Sequence, residues 1–341
     1  MAAKVFGIDF GTSMLKIYRK NEGVIFDQKN IIAISNGEVR AIGNDAFEMY
    51  GKAPDNFQVS YPVKNGVIAD IANMLSLLNK AFQQISDKHG KITGADIIVA
   101  APTDITEVEK RAFFDLAASS IAKPKKVRVV EKPIANAIGA GLDVMNASGV
   151  MVVDIGADTT EISVMSLGGI VLSKLITVGG NKFDEQIITN VRKKYNLVIG
   201  SKTAELIKKE LAYALEPAHE TIKVYGRDVM NGLPTEVEIN SEFVYDTINE
   251  SLYSIIDAVR MILEKTPPEI SSDIIDSGIY VTGGSANIKN IAKLFQKETE
   301  LPIKVSEDPA NTVVNGLGKI LEGGSKYDSL AFSLKQTYYG G

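Results

Sequence analysis

The chain has no cysteine at all and only two histidines, His89 and His219, in 341 residues. Without cysteine there is no disulfide, no thiolate metal site and no cysteine nucleophile. Neither histidine has a second histidine at ligand spacing, and both lie in polar stretches, Asp87-Lys88-His89-Gly90 and Pro217-Ala218-His219-Glu220. Histidine general-base chemistry is therefore not expected. Long apolar runs are also missing: no stretch of about eighteen such residues occurs, and Met1 to Phe6 has neither a charged n-region nor an apolar h-region. The expected compartment is the cytoplasm. An excess of positive charge is absent too, since 42 acidic residues outnumber 37 Lys and Arg for a net charge of −5. The basic residues are scattered, and the short run Lys123 to Lys126 reads as a solvated loop, so no nucleic-acid surface is expected. What remains for chemistry is carboxylates, hydroxyls, backbone amides and metal.

The length suits two domains, each able to bury its own core, with a cleft between them. Val5 to Phe10 reads as a strand, followed by the turn Asp9-Phe10-Gly11-Thr12-Ser13 and a second strand over Leu15 to Tyr18. Ile71, Met74, Leu75, Leu78, Phe82 and Ile85 recur at helical spacing. A strand over Asp96 to Ala101 stops at Pro102, Thr106-x-x-Glu109 predicts a capping box for a helix running to Ile121, and Val127 to Val130 predicts the next strand. This alternation predicts an α/β layer with a mostly parallel sheet. Val150 to Asp154 then repeats the opening, with Asp154-Ile155-Gly156-Ala157-Asp158-Thr159-Thr160 as its turn and Ile162 to Ser166 behind it. Further helices are expected over Lys182 to Tyr195 and Thr203 to Ala214. Ser241 is the expected cap of a long helix ending at Thr266-Pro267-Pro268. Ile279 to Val281 enters a third turn, Thr282-Gly283-Gly284-Ser285-Ala286, with a helix expected through Ile288, Ile291 and Phe295.

Each Asp-x-Gly turn suits a polyphosphate. Gly11 and Gly156 permit amides to converge on an anion, and Thr12, Ser13, Thr159 and Thr160 add hydroxyl donors. Asp9 and Asp154 suit a hydrated Mg²⁺ that bridges phosphate oxygens. The third turn leads from strand to helix, where free amides suit a phosphate or nucleoside. Glu205 and Lys208, one turn apart, read as an exposed ion pair, and Glu131 at a strand end is a candidate to orient water or to serve only as a capping carboxylate.

These turns, in this order, occur together with Asn65-Gly66-Val67-Ile68-Ala69-Asp70, Thr106 to Arg111, Glu131 to Gly139, Ile199 to Glu205 and Leu263 to Glu269. The whole set resembles the MreB family of rod-shape-determining bacterial actins over about residues 4 to 322. The resemblance implies an actin-like ATPase fold, two duplicated ribonuclease H-like α/β domains, each carrying a smaller subdomain, around a nucleotide cleft. The implied divisions are 1–31, 66–145 and 312–341 for subdomain IA, 32–65 for IB, 146–181 and 242–311 for IIA, and 182–241 for IIB. ATP or ADP with Mg²⁺ would be held by Gly11, Thr12, Ser13 and Met14, by Gly156, Ala157, Asp158 and Thr159, by Glu205, Leu206, Ile207 and Lys208, and by Gly283, Gly284, Ser285 and Ala286. Asp9 and Asp154 would face the metal, and Glu131 with Thr159 would position the attacking water for slow hydrolysis. Implied partners are further copies of the chain in a filament, the cell-wall synthesis machinery and the inner membrane surface.

Four positions depart from the family pattern. Ala157 and Asp158 replace consecutive glycines, Met14 replaces Asn, and Lys132 replaces a second Glu. A carboxylate about 4 Å from a phosphate costs roughly 4 kcal/mol at an effective dielectric near 20, so weaker nucleotide binding or hydrolysis is expected. For membrane attachment, the stretch Asp87 to Gly94 offers only Ile92, and the tail offers Leu330, Phe332, Leu334, Tyr338 and Tyr339. The alternative readings are a small-molecule kinase of the same superfamily, a degenerate paralogue with weak hydrolysis, and a chaperone-type ATPase, the last lacking room for a peptide-binding domain.

Overall fold

Alternation of buried residues along Val5–Phe10 puts Phe6, Ile8 and Phe10 on one face of a strand and Gly7 and Asp9 on the other. In the computed structural model, which describes residues 4–334, this strand, β1, is central to a six-stranded sheet. Its neighbours follow in chain order: β2 (Met14–Arg19) and β3 (Gly23–Lys29) on one side. A small sheet of β4 (Ile32–Ser35), β5 (Glu38–Ile42) and β6 (Phe57–Ser60) follows, with α1 (Gly43–Met49) inserted. The hairpin β7 (Val63–Lys64) and β8 (Val67–Ile68) turns through Asn65 and Gly66, both at positive φ, the signature of a two-residue hairpin loop.

Asp70 then caps α2 (Ile71–His89), whose Met74, Leu77, Leu78, Phe82 and Ile85 face the core, with Phe82 edge-on to Phe6 at 5.8 Å. His89 is the last residue of this helix. β9 (Asp96–Ala101) joins β1 in parallel register, with Asp9 opposite Ala100. The Thr106 capping box opens α3 (Glu107–Ala118), which stops three residues short of Ile121 because Ser119 and Ser120 already turn the chain. β10 (Lys126–Glu131) continues the sheet and runs directly into α4 (Lys132–Gly139).

The second unit starts with β11 (Val150–Ile155), β12 (Thr160–Ser166) and β13 (Gly169–Ile176). There follow α5 (Gly180–Tyr195), β14 (Leu197–Val198), α6 (Ser201–Leu211), and the paired strands β15 (Thr221–Asp228) and β16 (Pro234–Asn240). The 25-residue α7 (Ser241–Lys265) is capped by Asn240, whose side chain accepts from Phe243 N. Ser241 is instead fully buried, its hydroxyl accepting from Glu220 N. Next come α8 (Pro268–Ser277), β17 (Ile279–Thr282), α9 (Ile291–Thr299) and β18 (Ile303–Val305). The chain then returns to the first unit with α10 (Thr312–Glu322) and β19 (Ala331–Phe332), which pairs with β10.

By contacts the chain divides into 1–147, 165–170 and 311–341 in one unit and 148–164 and 171–310 in the other. The two main sheets share one strand order: β3-β2-β1-β9-β10 in the first, with β19 added at the edge, and β13-β12-β11-β17-β18 in the second. Each has its own core, one around Phe6, Phe82 and Phe113, the other around Phe183, Ile255 and Phe295. In the first unit α4 and α10 cross so closely that a Cβ on Gly139 would sit 1.8 Å from Thr312 O, and one on Gly316 1.7 Å from Ala135 O. Only glycine allows that approach.

The membrane-facing residues expected from sequence are accounted for differently. Asp87 to His89 are helical, and Ile92 is 4% exposed within the first core, so it has no surface to insert. Leu330 is buried and Leu334 packs against the same core, while Phe332 is partly exposed on β19. Tyr338 and Tyr339 lie outside the described residues. Among the described residues no helix is long and apolar enough to cross a membrane.

Candidate functional site

In each main sheet one strand carries an aspartate as its next-to-last residue, Asp9 on β1 and Asp154 on β11, and a tight turn follows. In the first unit Gly11 is held from both sides, for Asn30 Nδ2 donates to Gly11 O at 2.8 Å and Asn30 N donates to Ser13 O at 2.8 Å. Asn30 is fully buried and was not singled out from sequence. Gly11 is needed for space: a Cβ there would meet Met14 O at 2.8 Å, and its φ is not positive. The conformational freedom expected of Gly11 and Gly156 is thus not what the turns use. Met14 begins β2 and contributes its backbone to the turn. Two residues on, Lys16 is directly opposite Asp9 across the ladder, 4% exposed, with its Nζ donating to Asn311 Oδ1. Residues facing each other on an antiparallel pair share one side of the sheet. A buried ammonium therefore shares the face of Asp9, and nothing in the local pattern Met14-Leu15-Lys16 marked it in advance.

The second turn is more heavily braced. Gly156 N donates to Thr159 O at 2.8 Å, closing it. The first amides of α5 then reach back to it: Gly180 N donates to Gly156 O at 3.0 Å and Asn181 N to Ala157 O at 2.7 Å. Asn181 Nδ2 also donates to Asp158 Oδ1 at 2.7 Å. Gly179 makes this approach possible, since a Cβ there would lie 2.6 Å from Ala157 O. Ser285 Oγ donates to Gly156 O at 3.0 Å, so that hydroxyl serves the turn. The hydroxyl of Thr160 is likewise committed, donating to Val178 O at 2.7 Å from a fully buried position, which removes it from the expected donors. Thr159, 8% exposed, is the remaining hydroxyl of this turn.

Gly283 combines two demands. Its φ is +85°, and a Cβ on it would lie 2.4 Å from both Asp154 Oδ1 and Ile155 O. The third turn is thus stacked on the carboxylate of Asp154, as the β11–β17 register of Asp154 against Thr282 requires. Behind it the chain does not enter an α-helix. Gly284–Asn287 is a single 3₁₀ turn that ends at Ile288, and α9 begins only after Asn290 in the left-handed region. Within this turn Ala286 N donates to Gly283 O and Ile288 N to Ser285 O. Gly284 has open space around its Cα, whereas Ala286 is 3% exposed.

The stretch Glu205 to Lys208 divides by face. Ile207 is in the second core and Leu206 is half exposed. Lys208 does not pair with Glu205: its Nζ donates to Asp184 Oδ2 and to Gly180 O, both at 2.8 Å, while Glu205 pairs with Lys209 at 2.8 Å. Burial pushes the Asp184 carboxyl up and the Lys208 ammonium down, each opposed by the charge of the other. Glu131 occupies the N-cap position of α4 but its side chain makes no capping bond, which removes the capping role. Both histidines sit in surface pairs, His89 with Glu22 at 3.0 Å and His219 with Glu242. Among the described residues no three Asp, Glu or His side chains gather to hold a metal ion unaided.

Twin sheets of identical strand order, each with an aspartate-tipped turn, define an α/β protein of the actin-like class. The double helical filament structure of MamK has this fold, at a TM-score of 0.79 and 21% identity over 94% of this chain and 99% of that one. The MreB/Mbl protein family model matches residues 3–329, and the chain belongs to that family. Cell shape-determining protein Mbl of Bacillus subtilis (strain 168) is 38% identical over 94% of this chain and 97% of its own length. Cell shape-determining protein MreB of Escherichia coli (strain K12) is 39% identical over 94% of each. Among solved structures, MreB5 of Spiroplasma citri bound to AMPPNP matches with a TM-score of 0.90 and 33% identity, over 96% of this chain and 98% of that one.

Proposed function

We propose that this chain binds ATP through its aspartate-tipped turns and polymerises into filaments that organise cell-wall synthesis and cell shape. Membership of a family whose relatives are named cell shape-determining proteins supports this reading, as do similar structures bound to AMPPNP and ADP. The observation that carries it is the bracing of the second turn, where Gly180 N and Ser285 Oγ hold the carbonyl of Gly156, Asn181 N holds that of Ala157, and Asn181 Nδ2 holds the Asp158 side chain. A rigid turn does not have to be ordered on binding, which lowers the cost of holding an anion. In this reading Gly11, Thr12, Ser13, Gly156 and Thr159 hold phosphate. Asp9 and Asp154 take the metal. When bound, Mg²⁺ offsets the phosphate charge. Glu131, with no capping bond to make, is the group assigned to orient water, together with Thr159.

The small sheets within residues 32–65 and 182–241 form the subdomains IB and IIB of this reading, with association at the inner membrane surface. The test is electron microscopy of the purified chain with ATP and Mg²⁺, alongside phosphate release. Filaments and slow release are expected; monomers that phosphorylate a sugar would replace this reading with the kinase one.

A further inference from the structure

The second turn carries an acid at position 158, and a carboxylate beside a bound phosphate works against binding. The structure shows what holds that acid. The N-cap of α5 is Gly179, which has no side chain to cap with, and the loop supplies the acceptors instead. Gly156 O takes Gly180 N, Ala157 O takes Asn181 N, and the next residue, Asp158, takes Asn181 Nδ2 at 2.7 Å. Three successive residues of the turn are thus matched to the first two residues of α5. The positive end of the helix dipole also favours an anion at this place. Asn181 itself is exposed and contributes nothing to the second core, so its amide has no packing role that competes with this one.

Building on the proposed nucleotide site, we propose that Asn181 is a positioning residue: it ties the Asp158 carboxylate against the start of α5 so that the second turn accepts a polyphosphate despite its acid. The Asp158–Asn181 pair does in this chain what glycine does by having no side chain at all. The role is specific to charge. Releasing the carboxylate lets it swing towards the anion; removing it makes Asn181 dispensable.

Titration with a fluorescent ATP analogue, in Mg²⁺, of the wild type, Asn181→Ala, Asp158→Gly and the double variant separates the outcomes. Asn181→Ala is expected to weaken binding about tenfold, Asp158→Gly to strengthen it, and the double variant to match Asp158→Gly. Asn181→Asp, which keeps the size but adds a second carboxylate, is expected to bind more weakly than Asn181→Ala. An equal loss from Asn181→Ala in both backgrounds, or no loss in either, overturns the inference while leaving the nucleotide site standing. Absence of binding by the wild type overturns the nucleotide site itself, and this inference with it.

Discussion

Lys208 on α6 reaches Asp184 on α5 at 2.8 Å and, with the same ammonium, the carbonyl of Gly180, whose amide in turn holds Gly156 O. A buried charge pair therefore anchors the helix start that braces the second turn. Breaking such a pair from one side leaves an uncompensated charge and costs about 3–5 kcal/mol. Lys208→Met is expected to lose stability of that order in urea melts, and Asp184→Asn/Lys208→Met considerably less. The pH dependence follows from the direction of the Asp184 shift. Its folded pKa is raised by burial, and losing Lys208 removes the main opposing charge and raises it further. The folded state then holds a proton that the unfolded chain releases. Stability from this group is present below the ordinary carboxylate range and is lost as pH rises through the raised pKa. Lys208→Met should accordingly melt at progressively lower temperature from about pH 4 upward, a slope the double variant should lack.

Gly139→Ala and Gly316→Ala bear on how the first unit is closed. Each adds one methyl group within 2 Å of a backbone carbonyl on the facing helix, where no side chain can move aside. Overpacking typically costs about 1–3 kcal/mol and more where backbone must shift. Both variants are expected to fall at or beyond the upper end, seen as a loss of soluble protein or a large drop in the urea midpoint. Gly200→Ala is the control: its Cβ meets nothing within 4 Å and its φ is ordinary. It should melt within about 0.5 kcal/mol of the wild type.

The cap of α7 separates two readings of the same sequence. Ser241 has the residue type of an N-cap, but Asn240 makes the bond, accepting from Phe243 N at 3.0 Å. Asn240→Ala is expected to cost about 1 kcal/mol, read as a shift of the thermal or urea midpoint. No measurable shift would mean that the helix start is held by the Ser241 burial alone.

What the sequence made legible was whatever depends on short-range pattern. The strands around Asp9 and Asp154 were readable because apolar runs end in turn residues, and the helix from Ile71 because its apolar spacing is regular. The capping box at Thr106 was complete in the sequence and is complete in the fold. What failed depended on distant partners. The pairing of Lys208 with Asp184 crosses from one helix to another, so the nearer Glu205 was the natural but wrong choice. Thr160 looked like a donor until Val178 O, eighteen residues on, took its hydroxyl. Asn30, Asn181 and Lys16 carry no local signature, because each matters only through a residue brought to it by the sheet or by a helix start. The helix expected through Ile288, Ile291 and Phe295 is present as α9 but starts later, because the chain must first pass through the left-handed region at Asn290, which leaves Ile288 outside it.

Gly283 offers the sharpest test of the proposed site, because its substitution strains the turn and the carboxylate together. Its φ of +85° is a region that L side chains rarely adopt, and a Cβ would sit 2.4 Å from Asp154 Oδ1. Gly283→Ala must therefore either rotate the backbone of the third turn or displace the Asp154 carboxylate. If Asp154 takes the metal of a bound nucleotide, the variant should lose at least about tenfold in affinity for ATP with Mg²⁺, which corresponds to about 1.4 kcal/mol. Gly284→Ala, one residue away in open space and without positive φ, should lose far less. Titrating both variants with and without Mg²⁺ isolates the cause. A loss in Gly283→Ala that is large with the metal and small without it assigns the damage to Asp154. A loss of equal size in both conditions would mean that the third turn touches the nucleotide directly and that Asp154 is not the group through which it acts.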